Sequence, residues 1–301
     1  MSILLGVDIG GTKIAVGLVD AATGQVLYKA RIPTEAENGG ASVLARAIEL
    51  AKQVLPRAAG AEGAGVTGIG IGAGGQIDPV AGVVVNATEI LPGWKGQRLK
   101  TAFEAAFALP AFADNDVNAL AVGESRYGAG KDYRHLIYLG LGTGVGGALV
   151  HDGKLVHGPR GAGSEPGHLV LYPDAPPYAN GTRGCLEQFT SGPAILERFG
   201  DPTLTGPELA ALAHAGDTQA LACLAAVGRD LGIGLATLAN IYGPEAFLLG
   251  GGVIDGFGEL LLAHARAELF ERALPAVKET PILRAGLGTD APLIGAAALA
   301  L

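Results

Sequence analysis

Residues 3–7, Ile-Leu-Leu-Gly-Val, form an apolar run, and residues 14–19, Ile-Ala-Val-Gly-Leu-Val, form another. The pattern predicts two buried strands joined by a hairpin, with a third short strand at Gln25–Tyr28. A helix is expected over about Ala41 to Arg57, with Val43, Leu44, Ala47, Ile48, Ala51 and Val54 on its apolar face. Gly65 to Ala73 reads as a buried strand, Val83–Asn86 as a short one, Arg98–Phe107 as a helix and Pro110–Ala113 as a strand. Asp114-Asn115-Asp116 ends that strand, and Asn118–Tyr127 follows as a helix. The opening pattern then recurs. Residues 136–150 are again strand, glycine turn and strand, followed by Lys154–Val156, with Gly6 and Gly10 matching Gly140 and Gly144 at one offset. A unit used twice predicts two similar lobes, each turning a glycine loop toward a shared cleft.

Residues 158–181 are irregular, and long loops of this kind are usually functional. Helices are expected from about Gly184 to Phe199, Gly206 to His214 and Asp217 to Tyr242. The strand Ala246–Leu249 runs into Gly250-Gly251-Gly252; a helix over about Gly256–Leu274, a strand near Ile282-Leu283 and a final helix at Leu293–Leu301 complete the chain. That last helix is expected to pack back on the first lobe.

Composition narrows the class. The chain has 301 residues, 49% hydrophobic and 17% charged, enough for two domains with real cores. A formal net charge of −8 argues against a nucleic-acid surface. Cys185 and Cys223 are the two cysteines, too few for a disulfide framework, which fits a reducing cytoplasm. Asp8 interrupts the first apolar stretch and no basic segment precedes it, so no signal peptide is expected. No membrane span is expected either: Leu221–Tyr242 contains Arg229 and Asp230 and reads as a core helix.

The chemistry concentrates in turns. Asp8-Ile9-Gly10-Gly11-Thr12 places an acid, two glycines and a hydroxyl at a strand end. Glycines let backbone N–H groups converge on phosphate, and the acid can face Mg²⁺. The second turn, with Thr143, repeats the theme. Asp116 can accept a proton from an attacking hydroxyl while Asn115 orients it, although any of Asp114, Asn115 and Asp116 can also simply cap the next helix. Glu165-Pro166-Gly167-His168 can hydrogen-bond neighbouring sugar hydroxyls. Glu187, at a helix start, serves a ligand or the helix dipole equally well. Gly250-Gly251-Gly252 can admit a purine or be a plain turn, and Trp94 fits either the core or the cleft.

Six motifs in this order resemble the ROK family of bacterial sugar kinases and repressors, within the actin-like ATPase superfamily. They are Asp8-Ile9-Gly10-Gly11-Thr12-Lys13, Asp114–Ala119, Leu141–Gly147, Glu165-x-Gly167-His168, Gly184-Cys185-Leu186-Glu187 and Leu249–Gly252. The resemblance implies an α/β, two-lobed, ribonuclease H-like fold with duplicated mixed sheets around a central cleft. It implies lobes of residues 1–117 plus 287–301 and of residues 118–286. Its implied activity is ATP-dependent phosphorylation of a hexose at the 6-hydroxyl, with Asp116 as general base. Gly74, Gly75, Asn115, Asp116, Glu165, His168 and Glu187 would bind the sugar. Gly10, Gly11, Thr12, Lys13, Gly142, Thr143 and Gly144 would hold ATP phosphates, Gly251 and Gly252 would border adenosine, and Asp8 would face Mg²⁺, through water or directly.

Glucose is the substrate expected first, with mannose, fructose, an N-acetylated hexosamine and polyphosphate as alternatives. The family's DNA-binding extension is not in this sequence, whose first phosphate strand begins at Ile3, favouring a kinase over a non-catalytic sugar-sensing regulator. Relatives pair through the second lobe, so a homodimer or homotetramer is expected. Many also hold zinc with the motif histidine and three cysteines. Here two of those cysteines are Tyr178 and Asn180, leaving His168 and Cys185, whereas a closed site needs four ligands. No zinc is expected, and Tyr178 and Asn180 are expected to hydrogen-bond within the loop.

Overall fold

The computed structural model describes residues 2–60, 65–87, 91–178, 181–201 and 203–301. The chain divides into two compact units, Met1–Asp132 with Val150–Gly163 and Gly286–Leu301, and Tyr133–Leu149 with Ser164–Ala285.

The first unit is built on a five-stranded sheet. Its strands are β1 (Ser2–Ile9), β2 (Lys13–Asp20), β3 (Val26–Pro33), β4 (Gly65–Ala73) and β7 (Ala111–Asn115), in the order β3-β2-β1-β4-β7. A small hairpin, β5 (Gln76–Asp78) with β6 (Val83–Asn86), lies between β4 and β7 in the chain. Strands β1, β4 and β7 run parallel, with Asp8 opposite Gly72 and Gly72 opposite Asp114. That register gathers the carboxyl ends of three neighbouring strands, where ligands bind open α/β sheets. Helix α1 (Gly40–Val54) buries Val43, Leu44, Ala47, Leu50, Ala51 and Val54, with Leu50 rather than Ile48 completing the stripe. Helix α2 (Leu99–Phe107) buries Leu99 and Phe103 in the same core.

Helix α3 (Asp116–Tyr127) begins two residues earlier than the sequence pattern suggests, because the Asn115 side chain caps it. The C-terminal helix α10 (Ala291–Ala298) covers the sheet as expected. A Cβ on Gly70 would lie 1.7 Å from the Ala296 carbonyl oxygen, so only glycine admits this helix so close to β4.

The second sheet repeats the plan. Strands β8 (His135–Leu141), β9 (Val145–His151), β10 (Lys154–Leu155), β11 (Ala246–Gly250) and β12 (Ile282–Arg284) take the order β10-β9-β8-β11-β12. Matched by strand ends, Gly10 corresponds to Gly142, not to Gly144 as the bare glycine spacing suggests: each directly follows its strand. The expected helix over 184–199 is two, α4 (Leu186–Thr190) and α5 (Gly192–Phe199), interrupted at the extended Ser191. Helices α6 (Gly206–His214) and α7 (Thr218–Tyr242) follow, with a capping box at Thr205 and Glu208 and an Asp217 cap. The expected helix over 256–274 is also two, α8 (Gly252–Phe257) and α9 (Glu259–Arg272), separated at Gly258, where φ is 46°.

Among the described residues, α7 alone is long and apolar enough to cross a membrane. Leu224, Val227, Leu231 and Leu235 on it are fully buried, and it packs lengthwise against α9 inside the second unit's core. Cys185 and Cys223 are buried free thiols.

The unit boundaries correct the expected division at residues 117 and 118: α3 belongs to the first unit. Its Glu124 carboxylate is fully buried and accepts hydrogen bonds from the N–H groups of Ala129 (3.0 Å), Gly286 (2.8 Å) and Leu287 (2.9 Å). Residues 150–163 also join the first unit, held by a Gln76 Nε2 donation to the Arg160 carbonyl and by His157.

Candidate active site

The first unit presents its candidates at the ends of β1, β4 and β7. Asp8 closes β1 and is 8% exposed. Burial, then the negative charge of Asp116, raises its pKa to about 6, against the partial relief of Lys13. The Asp116 carboxyl is raised as well, chiefly by burial, while its Oδ1 accepts the Val117 N–H at 2.9 Å. Asp8, buried, and Asp116, half-buried, are therefore two acids whose charges oppose each other. Such a pair fits a divalent cation, which would relieve both.

The Gly10–Thr12 turn is braced from β3's end. Gly10 N–H donates to the Lys13 carbonyl at 3.0 Å, and Thr34 N–H donates to the Thr12 carbonyl at 3.0 Å. The fully buried Thr34 hydroxyl donates to the Gly10 carbonyl at 2.7 Å. This leaves Gly11, Thr12 and Lys13 exposed. Nothing in the alternation of β3 marks Thr34 as the brace, because the contact spans 24 residues.

Asn115 does the capping work considered from the sequence, and more. Its Oδ1 accepts from Val117 N–H at 2.8 Å and Asn118 N–H at 3.4 Å, while Nδ2 donates to the Gly75 carbonyl at 2.9 Å. Gly75 has φ 97°, and a Cβ there would lie 2.7 Å from the Asn86 carbonyl oxygen. The Gly74 carbonyl accepts the Trp94 indole N–H at 3.0 Å, which puts Trp94 in the core, 2% exposed.

The second unit gathers the remaining candidates. The Gly142 N–H donates to the Gly144 carbonyl, and the Gly142 carbonyl accepts the Gly192 N–H at 2.7 Å, tying the second turn to the start of α5. Glu187 reaches this turn too: its Oε2 accepts the Val145 N–H at 2.9 Å. Glu165 retains solvent contact, yet partial burial of its carboxyl raises its pKa, countered by His168 and reinforced by Glu187. Glu165, His168 and Glu187 thus share one electrostatic neighbourhood. Glu165 and His168 line a cavity whose far wall is Leu238, Ile241 and Tyr242.

A larger cavity of about 740 Å³ adjoins Thr143 and Gly252. Pro193, Leu196, Ala210 and Phe257 give it apolar walls. Its size and lining suit a nucleoside. Gly251, with φ 93°, caps α8 at the cavity's edge, and α5 and α6 supply walls that no local sequence pattern marks.

The zinc-motif loop has another scaffold. Tyr178 N–H donates to the Thr182 carbonyl at 2.7 Å, and its hydroxyl lies 3.4 Å from Ser191 Oγ. Asn180 lies outside the described residues. Among the described residues no group of three or more His, Cys, Asp or Glu side chains is placed to hold a metal ion. The loop is fastened by Tyr172, whose hydroxyl donates to Asp230 Oδ1 at 2.7 Å, while Arg198 on α5 donates to Oδ2 of the same carboxylate at 2.6 Å.

Comparison with known proteins agrees in fold and sequence. The chain is 35% identical over its full length, and over 98% of the relative, to the glucokinase of Streptomyces coelicolor. A crystal structure of a ROK hexokinase from Thermus thermophilus superposes with a TM-score of 0.84 at 36% identity, covering 99% of this chain and 97% of that one. A ROK family glucokinase from Streptomyces griseus, solved with glucose and AMPPNP, gives 0.80 at 33%, covering 99% of each chain. The model of the ROK family matches residues 4–301, and with the duplicated α/β fold and these relatives, the chain belongs to the ROK family.

Proposed function

We propose that the protein is an ATP-dependent hexokinase that phosphorylates a hexose, glucose first, at its 6-hydroxyl. The observation that carries this reading is the half-buried Asp116 carboxylate at the start of α3, capped by Asn115, with its pKa raised and Asp8 as its charged neighbour. A carboxylate there takes the proton from the 6-hydroxyl as the oxygen attacks phosphorus. Asn115, Gly74 and Gly75 border the same strand ends, and Glu165, His168 and Glu187 supply acceptors and a donor for the other hydroxyls. The glycine turns at 10–12 and 142–144 offer N–H groups to phosphate, and Lys13 offers a cation. Mg²⁺ at Asp8 would neutralise phosphate charge when bound. The nucleoside takes the cavity beside Thr143 and Gly252.

The test is ADP release from ATP with a panel of hexoses, scored by kcat/KM. Sugar-dependent release with glucose leading upholds the reading. Release with mannose, fructose or an N-acetylated hexosamine leading corrects the substrate, and polyphosphate outpacing ATP corrects the donor. Sugar binding without ADP release assigns the chain to the sensing class instead.

A further inference from the structure

We propose that His157 is a positioning residue for Asp116, acting through Asp114. The inference rests on the reading of Asp116 as the base. Asp114 is 3% exposed and both its carboxylate oxygens are hydrogen-bonded. Its Oδ1 accepts the Asn115 N–H at 2.7 Å and the Asn118 Nδ2 at 2.7 Å. Its Oδ2 meets His157 Nε2 at 2.5 Å. One carboxylate therefore clamps both sides of the first turn of α3, and Asp116 sits between the clamped residues.

His157 in turn has a fixed base. Its carbonyl accepts the Gly163 N–H at 2.6 Å, closing a loop that Gln76 also fastens at Arg160. The imidazole and Asp114 adjoin a cavity walled by Pro79, Phe112, Val122 and Leu155, and the charged or titratable groups facing it are Asp114, Lys154 and His157. In these partly apolar surroundings a hydrogen bond between imidazolium and carboxylate is strengthened. The bond to Asp114 accordingly raises the pKa of His157. Without His157, the second oxygen of a buried carboxylate loses its partner, and the clamp becomes free to rotate off the α3 turn.

The experiment uses the full chain with His157→Ala and His157→Gln. The alanine variant is expected to lower kcat about ten- to a hundredfold, as misplacing a reacting group does, with the KM for ATP within about twofold. Amide hydrogen exchange at Val117 and Asn118 should quicken in the same variant. Glutamine, which keeps a donor for Asp114, should restore most of both. An unchanged kcat, unchanged exchange at those two amides, or glutamine failing to rescue overturns the proposal. If the parent protein releases no ADP with any hexose, it is the base assignment that fails. Exchange then decides the clamp alone: quickened in alanine and restored in glutamine upholds it, and unchanged overturns it.

Discussion

The Glu187 carboxylate accepts the Val145 N–H at 2.9 Å, and a Cβ on Gly144 would lie 2.6 Å from the same oxygen. A side chain expected to bind the sugar or to serve the helix dipole is thus also a prop of the second glycine turn. Glu187→Ala should therefore raise the KM for ATP as well as for the sugar, each by about tenfold, the worth of roughly one charged hydrogen bond. Gly144→Ala should displace the carboxylate and reproduce both effects. Steady-state kinetics with each substrate varied in turn checks this; a change confined to the sugar would assign Glu187 to that ligand alone.

Asp116→Asn should abolish turnover, by at least about 10²-fold, while sugar binding by calorimetry stays near that of the parent. The raised pKa of Asp116 adds a pH prediction. A base works only when ionised, so kcat should fall on the acid side at a pH above the ordinary carboxylate range. Near-parental turnover in the variant would remove Asp116 from the chemistry.

Asp8 sets stability against function. Its pKa rises from 3.8 to about 6 on folding, so its ionisation disfavours the folded state. The sign follows directly: the favourable contribution of the neutral acid is complete below pH 4 and is lost as pH rises through about 6. At neutral pH the loss amounts to about 3 kcal/mol before any cation binds. Asp8→Asn should therefore melt higher than the parent in metal-free buffer, with the gap opening between about pH 4 and 6 and level above it. The same substitution should abolish Mg²⁺-dependent turnover. Denaturant titrations at several pH values and a Mg²⁺ titration of activity check the two halves.

Thr34→Val removes the hydroxyl that holds the Gly10 carbonyl. The buried oxygen loses its donor, at a cost of about 1–3 kcal/mol. The KM for ATP should rise several-fold and the KM for glucose should hold, since the hydrogen bonds of Thr34 go to the Gly10–Thr12 turn.

The loop around Tyr178 should hold no metal. After dialysis, elemental analysis should find far less than one zinc per chain, and chelator should leave activity and melting temperature unchanged. Asp230→Asn, by contrast, should loosen the loop, because it weakens the carboxylate that holds Tyr172 and removes the charge that Arg198 pairs with.

The duplicated hairpins were legible because strand, glycine turn and strand leave a local signature, and Asp8 and Asp116 stood out as candidates because they sit within motifs at strand and helix ends. What escaped was whatever depends on distant partners. Thr34 braces Gly10 across 24 residues, His157 meets Asp114 across 43, and Glu124 reaches Gly286 across 162. Helix breaks at Ser191 and Gly258 escaped for a different reason: apolar periodicity continues through them, and only backbone geometry separates the pieces. The first residue of α3 was misjudged because Asn115 and Asp116 read equally as loop or as cap.

The seat of α10 on β1 and β4, so tight that Gly70 admits no side chain, gives the last residues of the chain a part in the earliest-made sheet. During vectorial synthesis the amino-terminal strands emerge first, yet this face stays uncovered until residues 291–298 have followed them. The first unit cannot complete its core before Gly286–Leu301 has been made, whereas all of Tyr133–Leu149 and Ser164–Ala285 is made before that segment.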